Sequence, residues 1–326
     1  MIFQNIEFHN VAELVPEGEG FHLLRIPSAL REKVNASMQN TCRYGTGVEL
    51  RFRLKGESAD IRLSTAPTAG VRAACLFYGS IQAGWQTLIQ PLSGEPTTLH
   101  ITRPANMDVL KTISAEQHLP FDPEVFRLIL PSCACQFYGV EGDVEPPRPE
   151  DVPVKTYLAY GSSITHGSLG LMMPYSYPFR IGQMLGCDSI NLGFAGSAHM
   201  EKEVAEYIVS RKDWDFASVE MGINTVDSFT PEQFEERIDT FTSILASDSR
   251  PVFATSIFGY NSPGPQEKAE CFRKIVRKYA SDRLIFTEGL ELLNNPAFIS
   301  ADLVHPSTEG LAQIAQRWSA IMKQHL

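Results

Sequence analysis

The sequence predicts a smaller all-β sandwich or jelly roll followed by a three-layer α/β/α domain wound around a parallel sheet. Three observations predict it. Short runs of alternating apolar and polar residues fill the first 145 positions. Four prolines then crowd into residues 146–153. Beyond them, short apolar runs alternate with amphipathic helical patterns. A chain of 326 residues is long enough for two such cores.

The first unit, residues 1–145, is read from its period of two. In 47–54, Val48, Leu50, Phe52 and Leu54 alternate with Glu49, Arg51 and Arg53. This places one row in a core and the other in solvent. Similar runs recur at 21–26, 60–63, 72–78, 97–102, 125–130 and 134–140, punctuated by Gly and Pro. Many short strands with turn signals and few helical stretches suggest two packed antiparallel sheets. The segment 146–153 reads as a stiff linker, because proline excludes helix and central strand alike.

The second unit, residues 154–326, has strand-like runs at 154–160, 189–194, 216–221, 252–258 and 284–287. Helical patterns lie at about 176–186, 199–211, 231–246, 265–280 and 307–324. Strands alternating with helices indicate βαβ units around a parallel sheet covered on both faces. Right-handed crossovers favour the doubly wound arrangement, whose chemistry gathers beyond the carboxyl ends of the strands.

Composition excludes several functions. With 43% hydrophobic and 20% charged residues the chain has an ordinary globular make-up. A net charge of −10 without a basic patch argues against nucleic acid and anionic membrane as partners. No apolar run approaches a membrane span, and the start, Met1-Ile2-Phe3-Gln4-Asn5, lacks a secretory pattern; a cytoplasmic location is the expectation. The six cysteines, Cys42, Cys75, Cys133, Cys135, Cys187 and Cys271, include only one close pair, at C-x-C spacing. They read as buried free thiols rather than a zinc or redox site. No cofactor or metal is expected, and assembly into a homo-oligomer stays open.

Four polar or glycine clusters follow four of the strand-like runs. They are Gly161-Ser162-Ser163-Ile164-Thr165-His166-Gly167, Gly193-Phe194-Ala195-Gly196-Ser197, Gly222-Ile223-Asn224-Thr225 and Asp302-Leu303-Val304-His305. Together, over residues 154–326, they resemble the SGNH (GDSL-type) hydrolase superfamily of esterases and lipases, whose blocks supply Ser, Gly, Asn and His in that order. The resemblance implies a flavodoxin-like fold. It implies Ser163 as nucleophile, His305 as base, Asp302 as its orienter, and an oxyanion hole from the Ser163 and Gly196 N–H groups and the Asn224 amide. A β-rich unit ahead of such a domain is similar to two-domain carbohydrate esterases. Two positions depart from the family pattern: Ser162 stands where Asp is common, and Thr225 where Asp follows the Asn.

The residue types suit acyl chemistry. A serine hydroxyl needs a base to take its proton. Asp302, three residues before His305, reaches the other ring nitrogen if the segment makes one tight turn. Gly161 and Gly167 permit a tight turn at Ser163, and a glycine at 196 lets backbone approach a substrate. An uncharged amide at 224 donates at any pH. The expected reaction is hydrolysis of a short acyl ester, such as acetyl on a carbohydrate or other small-molecule partner. Acyl transfer through the same residues and an inactive glycan-binding scaffold are the alternatives. His166 and His199 lie near the site without a D-x-x-H acid, and Asp227 and Glu220 are read as supporting groups. The apolar loop 169–175 is either an acyl pocket or a contact with the first unit, and 258–264 is a candidate rim.

Overall fold

The computed structural model describes residues 1–68 and 70–326. Two antiparallel sheets form the amino-terminal sandwich. One runs in the order Ile2–Phe3, Ile6–His9, Glu49–Leu54, Phe126–Ile129, Ala73–Tyr78 and Ile81–Gln82, with Val144–Glu145 and Ile89–Pro91 pairing at its margins. The other runs Thr97–Thr102, Ser58–Thr65, Cys135–Glu141, Gly20–Leu24 and Glu13–Glu17. Phe8, Leu50, Phe52, Ile61, Leu63, Phe126, Leu128 and Phe137 fill the space between them. The unit is not purely β: helices Ser28–Arg31, Ala36–Thr41 and Met107–Glu116 interrupt it.

One expectation fails on the strand Glu49–Leu54. Its apolar row is in the sandwich core, but Glu49 and Arg51 are only 2% and 1% exposed instead of solvated. The reason is that the outer face of this sheet is covered by the second domain. Arg51 reaches Asp188 there through two bonds of 2.6 and 2.7 Å, and Glu49 accepts from Arg51 and Arg127 at 2.7–2.8 Å. Paired geometry of this kind is what lets charges sit inside. Beside the network, Cys75, Phe77 and Ile129 pack on Met173 and Phe179 of the second domain.

The proline segment is docked. Pro149–Asp151 forms a 3₁₀ turn in which the Asp151 carboxylate accepts from the Arg148 N–H at 2.9 Å and pairs with Arg53 at 3.0 Å.

Beyond it, five parallel strands, Thr156–Gly161, Asp188–Gly193, Phe216–Glu220, Val252–Thr255 and Leu284–Thr287, are ordered 2-1-3-4-5. Alternate residues of the first strand face opposite layers. Leu158 and Tyr160 join helices Lys202–Ser210, Pro231–Ala246 and Gln266–Lys278 through Val204, Ile208, Phe234, Phe241 and Phe272. Tyr157 and Ala159 join Tyr177–Leu185 and Thr308–Met322 through Tyr177, Ile181, Ile314 and Trp318. The three-layer, flavodoxin-like order is thus the one the sequence predicts. The first of these cores also takes in Leu24, Ile26, Leu30, Met38 and Cys42, so the amino-terminal chain completes a face of the second domain.

The second strand lies at the sheet edge, where one row of carbonyls would lack a ladder partner. Side chains of the sandwich supply donors to that row. His9 Nε2 is 2.8 Å from Ser189 O; Asn10 Nδ2 donates to Asn191 O at 2.9 Å; Arg25 donates to Asn191 O and Gly193 O at 3.0 and 2.9 Å. Among the described residues no helix is long and apolar enough to cross a membrane.

Candidate active site

The first strand ends at Gly161, and the chain turns at once into the short helix Ser163–His166. Ser162 makes the turn in two ways. Its N–H donates to Glu220 at 2.7 Å, and its hydroxyl accepts from the Ile164 N–H at 3.1 Å as an N-cap. Thr165 donates to the same Glu220 oxygen at 3.1 Å. Gly161 is required by space, since a Cβ there would lie 2.1 Å from Thr165 Oγ1. With Ser162 occupied on Ile164, the Ser163 N–H at the first helical position has no intrahelical acceptor and is free to meet an anion. Burial pushes the Glu220 carboxyl up, against the hydrogen bonds from Ser162 and Thr165 that favour its charge.

The chain before the last helix places His305 opposite. Asp302 Oδ1 accepts from the Val304 and His305 N–H groups at 3.0 and 2.9 Å and from the Ser300 hydroxyl at 2.8 Å. Its other oxygen is 2.5 Å from His305 Nδ1. Burial would raise the Asp302 pKa, but these hydrogen bonds outweigh it and hold the carboxyl below its ordinary value. An ionised Asp302 can only accept, so Nδ1 carries the ring proton and Nε2 is left as an acceptor. The Ser163 hydroxyl lies 2.7 Å from that Nε2. Leu303, with φ +68°, takes the left-handed conformation that closes the turn. Ser307 then caps the helix Thr308–Met322 by accepting from Gly310 N–H at 3.2 Å.

Gly196 and Asn224 line the same cleft as Ser163 and His305, a space of about 480 Å³. Asn224 Oδ1 accepts from the Ala198 N–H at 3.1 Å, which leaves its amide N–H₂ unspent. A Cβ on Gly196 would meet no protein atom within 4 Å and would point into open space, and its φ of +66° is a conformation that favours glycine. Ile223, Val226 and Tyr260 give the cleft apolar walls, while Ser168, Ser262 and Asp227 add polar ones.

The other sequence candidates divide. His166 is buried beneath the Ser163 turn with the Thr46 hydroxyl 2.9 Å from its ring, and burial together with the Arg25 charge brings its pKa down to about 3. It is a neutral packing residue. His199 sits against Phe229, and burial lowers its pKa. Glu220 supports the turn; Asp227 lines the cleft. In the loop 169–175, Met172 and Met173 pack on the sandwich, whereas Leu169 and Leu171 stay exposed. From 258–264, Tyr260, Ser262 and Gly264 reach the cleft and Phe258 is buried. Thr225, at the second departure from the family pattern, donates to Gly222 O at 2.9 Å within its own turn. All six cysteines are free thiols, five of them buried. Among the described residues, no group of three or more His, Cys, Asp or Glu is placed to hold a metal ion.

Sequence reasoning missed the amino-terminal contribution to the loop that carries Gly196. Besides Arg25 and Asn10 on the edge strand, Asn35 Nδ2 donates to Ser197 O at 2.9 Å, and the Thr41 and Ser197 hydroxyls are 3.0 Å apart. The only available signal was a charged residue, Arg25, inside an otherwise apolar strand pattern.

Comparison with known proteins follows this geometry. Residues 154–260 match the GDSL-like Lipase/Acylhydrolase family. No curated protein sequence matches the chain. Among solved structures, a salicylyl-acyltransferase from a tetracycline biosynthetic pathway is similar over 98% of this chain and 95% of its own, with TM-score 0.76 and 16% identity. A family two carbohydrate esterase from Cellvibrio japonicus is similar over 99% and 95%, with TM-score 0.63 and 10% identity. An acetyl xylan esterase from the rumen bacterium Butyrivibrio proteoclasticus is similar over 86% and 91%, with TM-score 0.52 and 14% identity. At these identities the likeness is one of fold, and it extends through both domains. The matched residues of the carboxyl-terminal domain, similar to the GDSL-like lipase/acylhydrolase family, carry the Ser163, Gly196 and Asn224 blocks at the ends of the first three parallel strands, and Asp302–His305 lies beyond them, before the last helix.

Proposed function

We propose that the protein is a serine esterase that removes a short acyl group, acetyl foremost, from a carbohydrate or similar polar alcohol. The observation that carries this reading is the continuous chain from Ser163 Oγ to His305 Nε2 at 2.7 Å and from His305 Nδ1 to Asp302 at 2.5 Å. Ser163 Oγ attacks the ester carbonyl carbon as its proton passes to Nε2. Asp302 stabilises the imidazolium and keeps the ring in register. The negative charge formed on the carbonyl oxygen meets the N–H groups of Ser163 and Gly196 and the Asn224 amide, each such donor contributing about 3–4 kcal/mol. The alkoxide leaves with the proton from Nε2. Water then yields a proton to Nε2, attacks the acyl-serine, and releases the carboxylic acid as Ser163 regains its proton.

The mixed cleft suits a small acyl group joined to a hydroxyl-rich partner: Ile223, Val226 and Tyr260 offer apolar contact beside Ser168, Ser262 and Asp227. The carbohydrate esterases that share the two-domain fold make acetylated sugars the first substrates to try. Acyl transfer is the second reading, favoured by the fold of a salicylyl-acyltransferase at TM-score 0.76. It differs only in an alcohol replacing water in the second half.

Ser163→Ala should abolish turnover of p-nitrophenyl acetate while leaving the circular dichroism spectrum unchanged. Retained turnover in that variant overturns the assignment. Product analysis with an added monosaccharide acceptor separates hydrolysis from transfer.

A further inference from the structure

We propose that the amino-terminal sandwich carries a second site, centred on Trp85, that binds a neutral oligosaccharide. Of the three tryptophans, Trp214 and Trp318 are buried, whereas Trp85 is 92% exposed. An indole left in water without a packing partner is uncommon for so large an apolar group. Trp85 sits at the tip of a fixed turn: Gly84 O accepts from the Thr87 and Leu88 N–H groups at 2.9 and 2.8 Å. The ring is therefore held out by backbone rather than displaced by a floppy loop.

The turn borders a groove of about 510 Å³ whose lining has no charged residue, although one in five residues of the chain is charged. Around the indole stand three carboxamides, Gln82, Gln86 and Asn106, with Thr102 and Tyr78. Asn106 occupies the N-cap of Met107–Glu116 without using its side chain to cap it, so its amide remains free. A carboxamide both donates and accepts, as a sugar hydroxyl does, and an indole face packs on the C–H face of a pyranose. The absence of charge from the lining argues against anionic ligands.

The groove is separate from the catalytic cleft. Ala73, at one end of its strand, lines the hollow that Gly167 and Leu169 of the nucleophile side also line. Tyr78, five residues further along that strand, lines the Trp85 groove. At about 3.3 Å per residue the two places are about 17 Å apart. The groove shares no lining residue with the cleft of Ser163 and His305, and its existence does not depend on the esterase reading.

Because the other two tryptophans are buried, acrylamide quenching reports on Trp85. Xylohexaose, cellohexaose and mannohexaose, all neutral and unacetylated, are titrated against the full chain at millimolar concentration. At least one should protect the accessible tryptophan saturably. Gln86→Ala and Asn106→Ala should each weaken that binding. In Trp85→Ala, isothermal calorimetry should show the affinity for the same sugar reduced about tenfold or more, with p-nitrophenyl acetate turnover unchanged. Absence of protection by all three sugars, or affinity retained in Trp85→Ala, overturns the proposal. Loss of esterase activity in Ser163→Ala bears on the catalytic reading alone.

Discussion

Replacing Arg25 with methionine separates what this residue does for stability from what it does for the active site. Its guanidinium is fully buried and donates to Thr41 O, Gly193 O, Asn191 O and Tyr44 O at 2.8–3.0 Å. Three of those carbonyls have another donor nearby. Asn191 O keeps Asn10, Gly193 O keeps the His166 ring at 3.3 Å, and Thr41 O keeps the Tyr44 N–H. Only Tyr44 O is left to be orphaned, at about 1–3 kcal/mol. Against this, burial brings the Arg25 pKa from 12.5 down to about 10. That drop corresponds to about 3 kcal/mol of unfavourable charge burial, which the substitution removes. The methionine keeps most of the stem volume, although it gives up the guanidinium contact 4.6 Å over the Phe194 ring. The two effects nearly cancel, so the melting temperature should change by no more than a few degrees. Catalysis should not be spared, because the strand end that leads to Gly196 loses its clamp. Misplacing one oxyanion donor costs about 10²–10³ in kcat, and partial loosening should cost about 10- to 100-fold with KM little changed. The assay is p-nitrophenyl acetate turnover normalised to sites titrated at Ser163, so unfolded enzyme is not counted. Arg25→Lys should fall between. Unchanged kcat per titrated site would refute the reasoning, as would a loss matched by unfolding.

Asp302→Asn should lower kcat by about 10⁴ with little change in KM, read by steady-state kinetics. Since Asp302 is held below its ordinary pKa of 3.8, it stays ionised as pH falls past that value. Its own protonation should therefore not set the acid limb of the wild-type pH–rate profile. Asp188→Asn leaves the buried Arg51 and Arg127 sharing one carboxylate, Glu49, and should cost about 3–5 kcal/mol in urea unfolding. Arg51 and Arg127 overcome burial and hold Asp188 and Glu49 below their ordinary values. Their contribution is complete above the unfolded carboxylate range near pH 4 and is lost as pH falls through the lower folded values. The wild type should thus lose more stability than Asp188→Asn on acidification below pH 4.

The site blocks were legible because each is local. A strand, a polar turn and a helix occupy about a dozen residues, and Asp302 and His305 are three apart. Hydrophobic period places three of the blocks directly at strand ends; the fourth, Asp302–His305, comes only after the helix Gly289–Leu292 and the 3₁₀ turn Pro296–Phe298 that follow the last strand. Period also located the row Glu49-Arg51-Arg53 but could not say what covers it. Alternation distinguishes two faces, and only the fold decides whether the polar one meets water or Asp188. Arg25 and Asn191 are 166 positions apart, and nothing local in either hints at the contact.

These long contacts share a cause in the strand order. The order 2-1-3-4-5 leaves the second strand at an edge, and the chain continues from its end directly into the loop of Gly196. An edge strand has the least constrained backbone of a sheet, a poor support for the oxyanion donor proposed at Gly196. A further strand would pair this edge but would also extend the sheet past the site. Single donors from His9, Asn10 and Arg25 satisfy the carbonyls at Ser189, Asn191 and Gly193 and stop there. Asn35 and Thr41 continue the hold onto Ser197, one residue beyond Gly196. The sandwich therefore acts on the cleft through the backbone of the second strand. It can lock a donor in place without lining the cleft, whose walls all come from residues after 160.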